Sequence, residues 1–199
     1  MKQNEIKKKI IETTKNLIKT QSHLTIKDIA DASYINIAAV NYYFGSKENL
    51  FQMVIEEVIE EIKVEITSIV SKHTKEEKEK ILEEVIDFTY QYALNNVGFL
   101  THLFLKKENQ EMSSQLLIDT FFSENEFTKM IFDQLKQAIR YENETQLYAR
   151  YIILFSSFCM PLFISIAQND QQQHVSRKIF DDETFRSYFI KELLSILDH

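Results

Sequence analysis

Two glycines and one proline in 199 residues leave this chain little material for tight turns. Sheet proteins spend those residues at hairpins and bulges, so the scarcity predicts an all-α chain of about nine helices joined by short polar links. An apolar content of 44% supplies a sizeable core, enough for one ordinary domain and a small one beside it. The single cysteine, Cys159, excludes an internal disulfide framework and fits a reducing, cytoplasmic setting. The opening MKQNEIKKKIIETTKNL lacks the apolar centre of a signal peptide. Helical spacing there turns Ile6, Ile10, Thr13 or Thr14, and Leu17 inward. The longest apolar run, 151–167, is interrupted by Ser156, Ser157 and Ser165 and is too short and polar to predict a membrane span.

The segment 25–51, TIKDIADASYINIAAVNYYFGSKENLF, has a distinct organisation. Thr25 offers a side-chain oxygen at a helix start, and Ile26, Ile29 and Ala30 recur at i, i+3 and i+4. Ser33-Tyr34-Ile35-Asn36 breaks that pattern. Asn36 can cap a second short helix over 37–44, which packs through Val40 and Phe44 and leaves its other face free. Two short helices in this arrangement form a helix-turn-helix, whose second helix enters the DNA major groove. Small Ala38 and Ala39 permit close approach, Asn41 can donate and accept at a base edge, and Tyr42, Tyr43 and Lys47 suit phosphates.

The same residues resemble the N-terminal domain of TetR-family transcriptional regulators. Thr25, Ile29, Ala30, Tyr43, Phe44, Ser46, Lys47, Glu48 and Leu50 stand where that family's pattern has them. Three departures accompany the match: Ser33 stands for the usual turn glycine, Asn41 for the usual first tyrosine of the recognition helix, and 20–23 lack the customary glycine. The stretch Ala-Ala-Val-Asn-Tyr-Tyr-Phe-Gly-Ser-Lys is similar to a subgroup in which Asn replaces that tyrosine. The resemblance implies DNA-binding roles for Thr25, Asn36, Ile37, Ala38, Ala39, Asn41, Tyr42, Tyr43 and Lys47. It divides the chain into a DNA-binding domain at 1–47 and a helical ligand-binding and dimerisation domain at 48–199.

A net charge of −7 is unusual for a DNA-binding chain, but it is unevenly spread. Residues 1–50 carry eight lysines against five acids, or +3, which leaves −10 on 51–199. Screening over about 8 Å makes the local +3 the relevant field at a phosphate backbone. One such head binds weakly, so two heads on the half-sites of a palindromic operator, carried by a homodimer, are expected.

Beyond the head, Ser46 can cap a long helix that keeps its apolar period to about Lys72. A second long helix runs from about 81 and ends at Asn95-Asn96 before Gly98. Shorter helices are predicted at about 97–108, 110–122 and 125–140. An apolar helix over 144–169 is interrupted by Pro161, as a kink or as a boundary. The last helix, 181–197, follows the polar link 169–174. The family resemblance implies that the last two helices join those of a second subunit. It also implies a small-molecule pocket facing Tyr92, His102, Phe155, Cys159 and Phe163, within a body rich in phenylalanine.

Catalysis finds no support. The five histidines are scattered, no glycine-rich phosphate loop can be built, and neither metal nor cofactor is expected, with His102, Glu108 and Glu111 the nearest thing to a ligand set. The expected function is a homodimeric repressor released from double-stranded DNA by a small apolar or amphipathic effector, away from membranes. The alternative is a DNA-bound adaptor or nucleoid-associated factor that recruits a protein without a small ligand.

Overall fold

A computed structural model describes residues 2–21, 24–73, 78–96, 98–99, 115–158, 160–161, 164 and 180–198. Among them are α1 (Lys2–Thr20), α2 (Ile26–Ser33), α3 (Ile37–Phe44), α4 (Lys47–Lys72), α5 (Lys78–Asn95), α6 (Glu126–Ala138), α7 (Glu144–Ser157) and α8 (Glu183–Asp198). A π-helical stretch, Ile118–Phe122, precedes α6. The protein is all-α, an N-terminal helix-turn-helix followed by a helical bundle. The chain forms two compact units, Met1–Ile62 with Gly98–Ile118, and Lys63–Val97 with Asp119–His199. All but 98–99 of the predicted helix at 97–108, the first part of the one at 110–122, and the polar link 169–174 lie outside the described residues.

In the first unit, α1 packs on α2 and α2 on α3. The buried stripe of α1 is Ile10, Ile11, Thr14 and Ile18, with Leu17 only half-buried. This is a rotation of the expected face. Spacing from Ile6 favours Leu17, but Ile11 and Ile18 also continue an apolar period, and they win the core. Thr14 loses nothing by burial because its hydroxyl donates to the Ile10 carbonyl at 2.8 Å. The first turns of α4 add Leu50, Phe51, Val54, Ile55, Val58 and Ile59.

Gly98 does not serve as a left-handed cap; among the described glycines only Gly45 has positive φ. Its role is close approach. A Cβ there would stand 2.2 Å from the Ile18 carbonyl oxygen and 2.9 Å from that of Lys19. Only a hydrogen on Cα lets the chain pass α1 at this distance.

The second unit has one apolar core, built from Leu82 and Ile86 of α5, Leu135 of α6 with Ile139, Leu147, Tyr151 and Leu154 of α7, and Ile190, Leu193 and Leu197 of α8. Asn125, Asn143 and Asp182 cap α6, α7 and α8, each accepting a backbone N–H of the first turn at 2.8–3.0 Å. α7 stops at Ser157 with Phe158 as its cap, so Pro161 lies past its end and does not kink it. Three carbonyls of the π-helical stretch accept side-chain donors. Asn125 Nδ2 donates to Asp119 and Thr120, Thr128 Oγ1 to Thr120, and the Tyr151 hydroxyl to Phe121 at 2.7 Å. Burial pushes the Tyr151 phenol well above its ordinary pKa. The Tyr90 phenol, buried and donating to the Phe180 carbonyl, is pushed up to about 12.

Candidate nucleic-acid interface

The frame of the helix-turn-helix is fixed by short-range caps. Thr25 and Asp28 form a reciprocal capping box: Thr25 Oγ1 accepts the Asp28 N–H at 3.2 Å, while the Asp28 carboxylate accepts the Thr25 N–H at 2.8 Å. The Thr25 hydroxyl also donates to that carboxylate at 2.6 Å. Asn36 Oδ1 accepts the Ala38 N–H at 2.9 Å and starts α3. Both residues expected to touch DNA from these positions therefore already carry a structural duty.

The turn is one residue later than the sequence pattern places it. Ser33 is the last residue of α2, fully buried, with its hydroxyl donating to the Ile29 carbonyl at 2.6 Å. It is Tyr34 that adopts the left-handed conformation, at φ 56° and ψ 41°. A short side chain with a local acceptor can stay helical at position 33. The burden of reversal then falls on a tyrosine, at a cost of about 1 kcal/mol relative to glycine. The Tyr34 side chain is 90% exposed, with Lys9 Nζ 5.8 Å from its ring centre. Sequence reasoning missed Tyr34, although it lies where a chain leaving a helix reverses.

α3 buries Val40 and Phe44 and presents a continuous outer arc of Ile37, Ala38, Asn41 and Tyr42. Helical spacing explains the set: 37, 38, 41 and 42 are i, i+1, i+4 and i+5. Tyr42 is 76% exposed and meets Tyr43 edge-on, with ring centres 5.3 Å apart. Ala39 and Tyr43 are half-buried at the margin of the arc. Lys47, also half-buried, holds its Nζ 5.6 Å from the Phe51 ring centre. Lys8, Lys9 and Lys27 are exposed in the same unit.

The link to α4 is short and locked. Gly45, at φ 74°, donates its N–H to the Asn41 carbonyl at 2.8 Å. Ser46 Oγ accepts the Asn49 N–H at 3.1 Å, and Asn49 Nδ2 donates back to the Phe44 carbonyl at 3.2 Å. Asn49 Nδ2 thus ties the first turn of α4 back to the last residue of α3, as a donor, unlike the acceptor that Glu or Gln supplies in a capping box. The Glu48 carboxyl is held below its usual range by a hydrogen bond from its own backbone and by Ser46.

Residues 10–54 match the sequence profile of bacterial regulatory proteins, tetR family. Over that stretch the head is similar to the TetR-family domain. Nearly the whole chain is similar in fold to three solved structures. One is a proposed fatty acid metabolism regulator of Clostridium perfringens, with 19% identity, 96% of each chain covered and a TM-score of 0.61. RolR complexed with resorcinol is 12% identical over 98% of this chain and 88% of its own, with a TM-score of 0.59. A proposed tetR family transcription regulator from Shewanella sp. PV-4 is 14% identical over 96% and 97%, with a TM-score of 0.58. No curated protein matches the sequence. The TetR-type head thus rests on a profile match, and the body on likeness of fold.

Of the residues expected to face a ligand, His102, Cys159 and Phe163 lie outside the described residues, as do Glu108 and Glu111. Tyr92 is half-buried against Phe88, with ring centres 5.6 Å apart, on an open cleft of about 440 Å³. Glu65, Ile69 and Lys72 of α4 and Asn96 after α5 line it too. Phe155 stands elsewhere, within a ring cluster whose centres lie 4.7 Å away for Phe122 and 5.7 Å for Phe121. Among the described residues no three His, Cys, Asp or Glu side chains gather as a metal site, and no helix is long and apolar enough to cross a membrane.

Proposed function

We propose that the protein is a homodimeric transcriptional repressor that leaves its operator when the body takes up a small apolar or amphipathic ligand. The outer arc of α3 carries this reading: four side chains, one of them an amide and one a phenol, stand clear of a helix whose other side is anchored by Val40 and Phe44. An exposed recognition helix of this composition suits base edges at Asn41 and phosphates at Tyr42 and Lys47. The proposed division is a DNA-binding domain at 1–47 and an effector and dimerisation domain at 48–199. Exposed Tyr148 and Ile152 on α7, with Tyr188 and Ile196 on α8, support pairing of two copies through the last two helices. That RolR is complexed with resorcinol favours a small effector over a protein partner.

A ligand shifts such an equilibrium only through its differential affinity for the bound and released states. The test is a mobility-shift titration on the DNA upstream of the gene over a range of salt. A retarded, competitor-resistant complex of two copies is expected. Tyr42→Phe combined with Lys47→Ala is expected to weaken binding to all sequences alike and, through the lost Lys47 charge, to lower the salt slope by about 1. Unchanged affinity and slope would rule out this docking.

A further inference from the structure

Arg150 is an anomaly in the body. Residues 147, 150, 151 and 154 share one face of α7 by helical spacing, and all four are buried. Three of them, Leu147, Tyr151 and Leu154, belong to the apolar core. Arg150 is only 7% exposed, and its Nη1 has no hydrogen-bond partner. Among the described residues no carboxylate pairs with it. Asp87 is held by Arg186 at 2.8 Å, Glu144 by Lys136 at 3.0 Å, and Glu84 by His73 at 2.9 Å. A guanidinium cannot shed its charge, so burial without an anion leaves it uncompensated. Such a group requires an explanation beyond packing.

The fork of N–H donors fits a carboxylate, and the surrounding face of α7 is apolar. Of the exposed apolar residues of α7, Tyr148 and Ile152 point away from Arg150, while Ile153, three residues on, lies beside it, so the anion could come from a second subunit or from a small ligand, and the test below separates the two. We infer that Arg150 anchors the carboxylate of a small amphipathic acid whose apolar part lies within the helical body. This rests on the ligand-responsive reading above and gives the effector its chemical class.

The test uses the full-length protein, with sodium octanoate as probe and octanol and sodium acetate as controls at matched ionic strength. Octanoate is expected to raise the melting temperature saturably, and the controls to leave it in place. Without octanoate, Arg150→Met is expected to melt no lower than the parent, because it removes an uncompensated charge. The same variant is expected to lose at least about tenfold in octanoate affinity by calorimetry, the scale of one charged hydrogen bond. Arg150→Lys keeps a charge but not the fork; it is expected to bind octanoate more weakly than the parent, and it reports on the site if the Met variant fails to fold. An equal response from acetate, full octanoate affinity in Arg150→Lys, or no response from the parent overturns the inference. So does a change of molecular mass in Arg150→Met, which would assign the anion to a second subunit. No step here uses DNA: octanoate binding without operator binding retires the repressor reading alone, and operator binding without octanoate binding retires this one alone.

Discussion

The polar contacts that start the helices of the helix-turn-helix and of α4 span two to five residues, while those that tie the body together span up to ninety-nine. Thr25 with Asp28, Asn36 with Ala38, Ser46 with Asn49, and Asn49 with Phe44 set every boundary of the helix-turn-helix from nearby. In the body, the Tyr90 hydroxyl reaches the Phe180 carbonyl, Tyr151 reaches Phe121, and Arg186 pairs with Asp87. The body has local caps too, at Asn125, Asn143 and Asp182, but these start helices and do not decide which helices meet. A docking head is written into short sequence motifs, whereas a bundle is written into which apolar faces find each other. The contrast explains why a profile matches only 10–54 while the likeness of fold extends over nearly the whole chain.

The sharpest way to break this comparison is to cut the body's core. Ile86→Ala, at a position 1% exposed, is expected to cost about 2–5 kcal/mol in urea unfolding. A loss smaller than that of a head cap would mean that the long-range core is not what holds the body. Next in size, Thr25→Ala is expected to cost about 1 kcal/mol. Adding Asp28→Ala to it should cost much less than Asp28→Ala alone, because the capping box acts as one unit. Full additivity in a double-mutant cycle would show that the two residues cap independently. Smallest is Tyr34→Gly, expected to raise stability by less than about 1 kcal/mol, since relief of the left-handed strain is partly offset by loss of the contact with Lys9. A lower melting temperature would make the Lys9 contact the larger effect.

What was legible in the sequence follows the same division. The caps at Thr25, Asn36 and Ser46, the buried pair Val40 and Phe44, and the helical class could be read because each depends on residues a few places apart. The face of α1 could not be chosen between Leu17 and Ile18, since both continue an apolar period and only the packing partners decide. The turn was placed at Ser33 because it stands next to the true reversal at Tyr34, and a tyrosine is a poor advertisement for a left-handed backbone. Gly98 announced an ending, yet its requirement comes from α1, some eighty residues earlier in the chain. The aromatic residues of the body could be counted from the sequence but not assigned to cavities. Tyr92 and Phe155 prove to sit in different surroundings, and although helical spacing sets Arg150 on the face of Leu147, Tyr151 and Leu154, so long a side chain can reach water from there, and its burial could not be read.

The joint at Gly45, Ser46 and Asn49 bears on how motion is carried within the head. The Gly45 N–H closes the helix that carries Asn41 and Tyr42, Ser46 Oγ caps the one that begins at Lys47, and the bond from Asn49 Nδ2 to the Phe44 carbonyl joins the two. In mechanical terms it is a braced corner: each helix end is closed before the next begins, and one strut between them gives a twist of α4 a path to α3 besides the backbone itself.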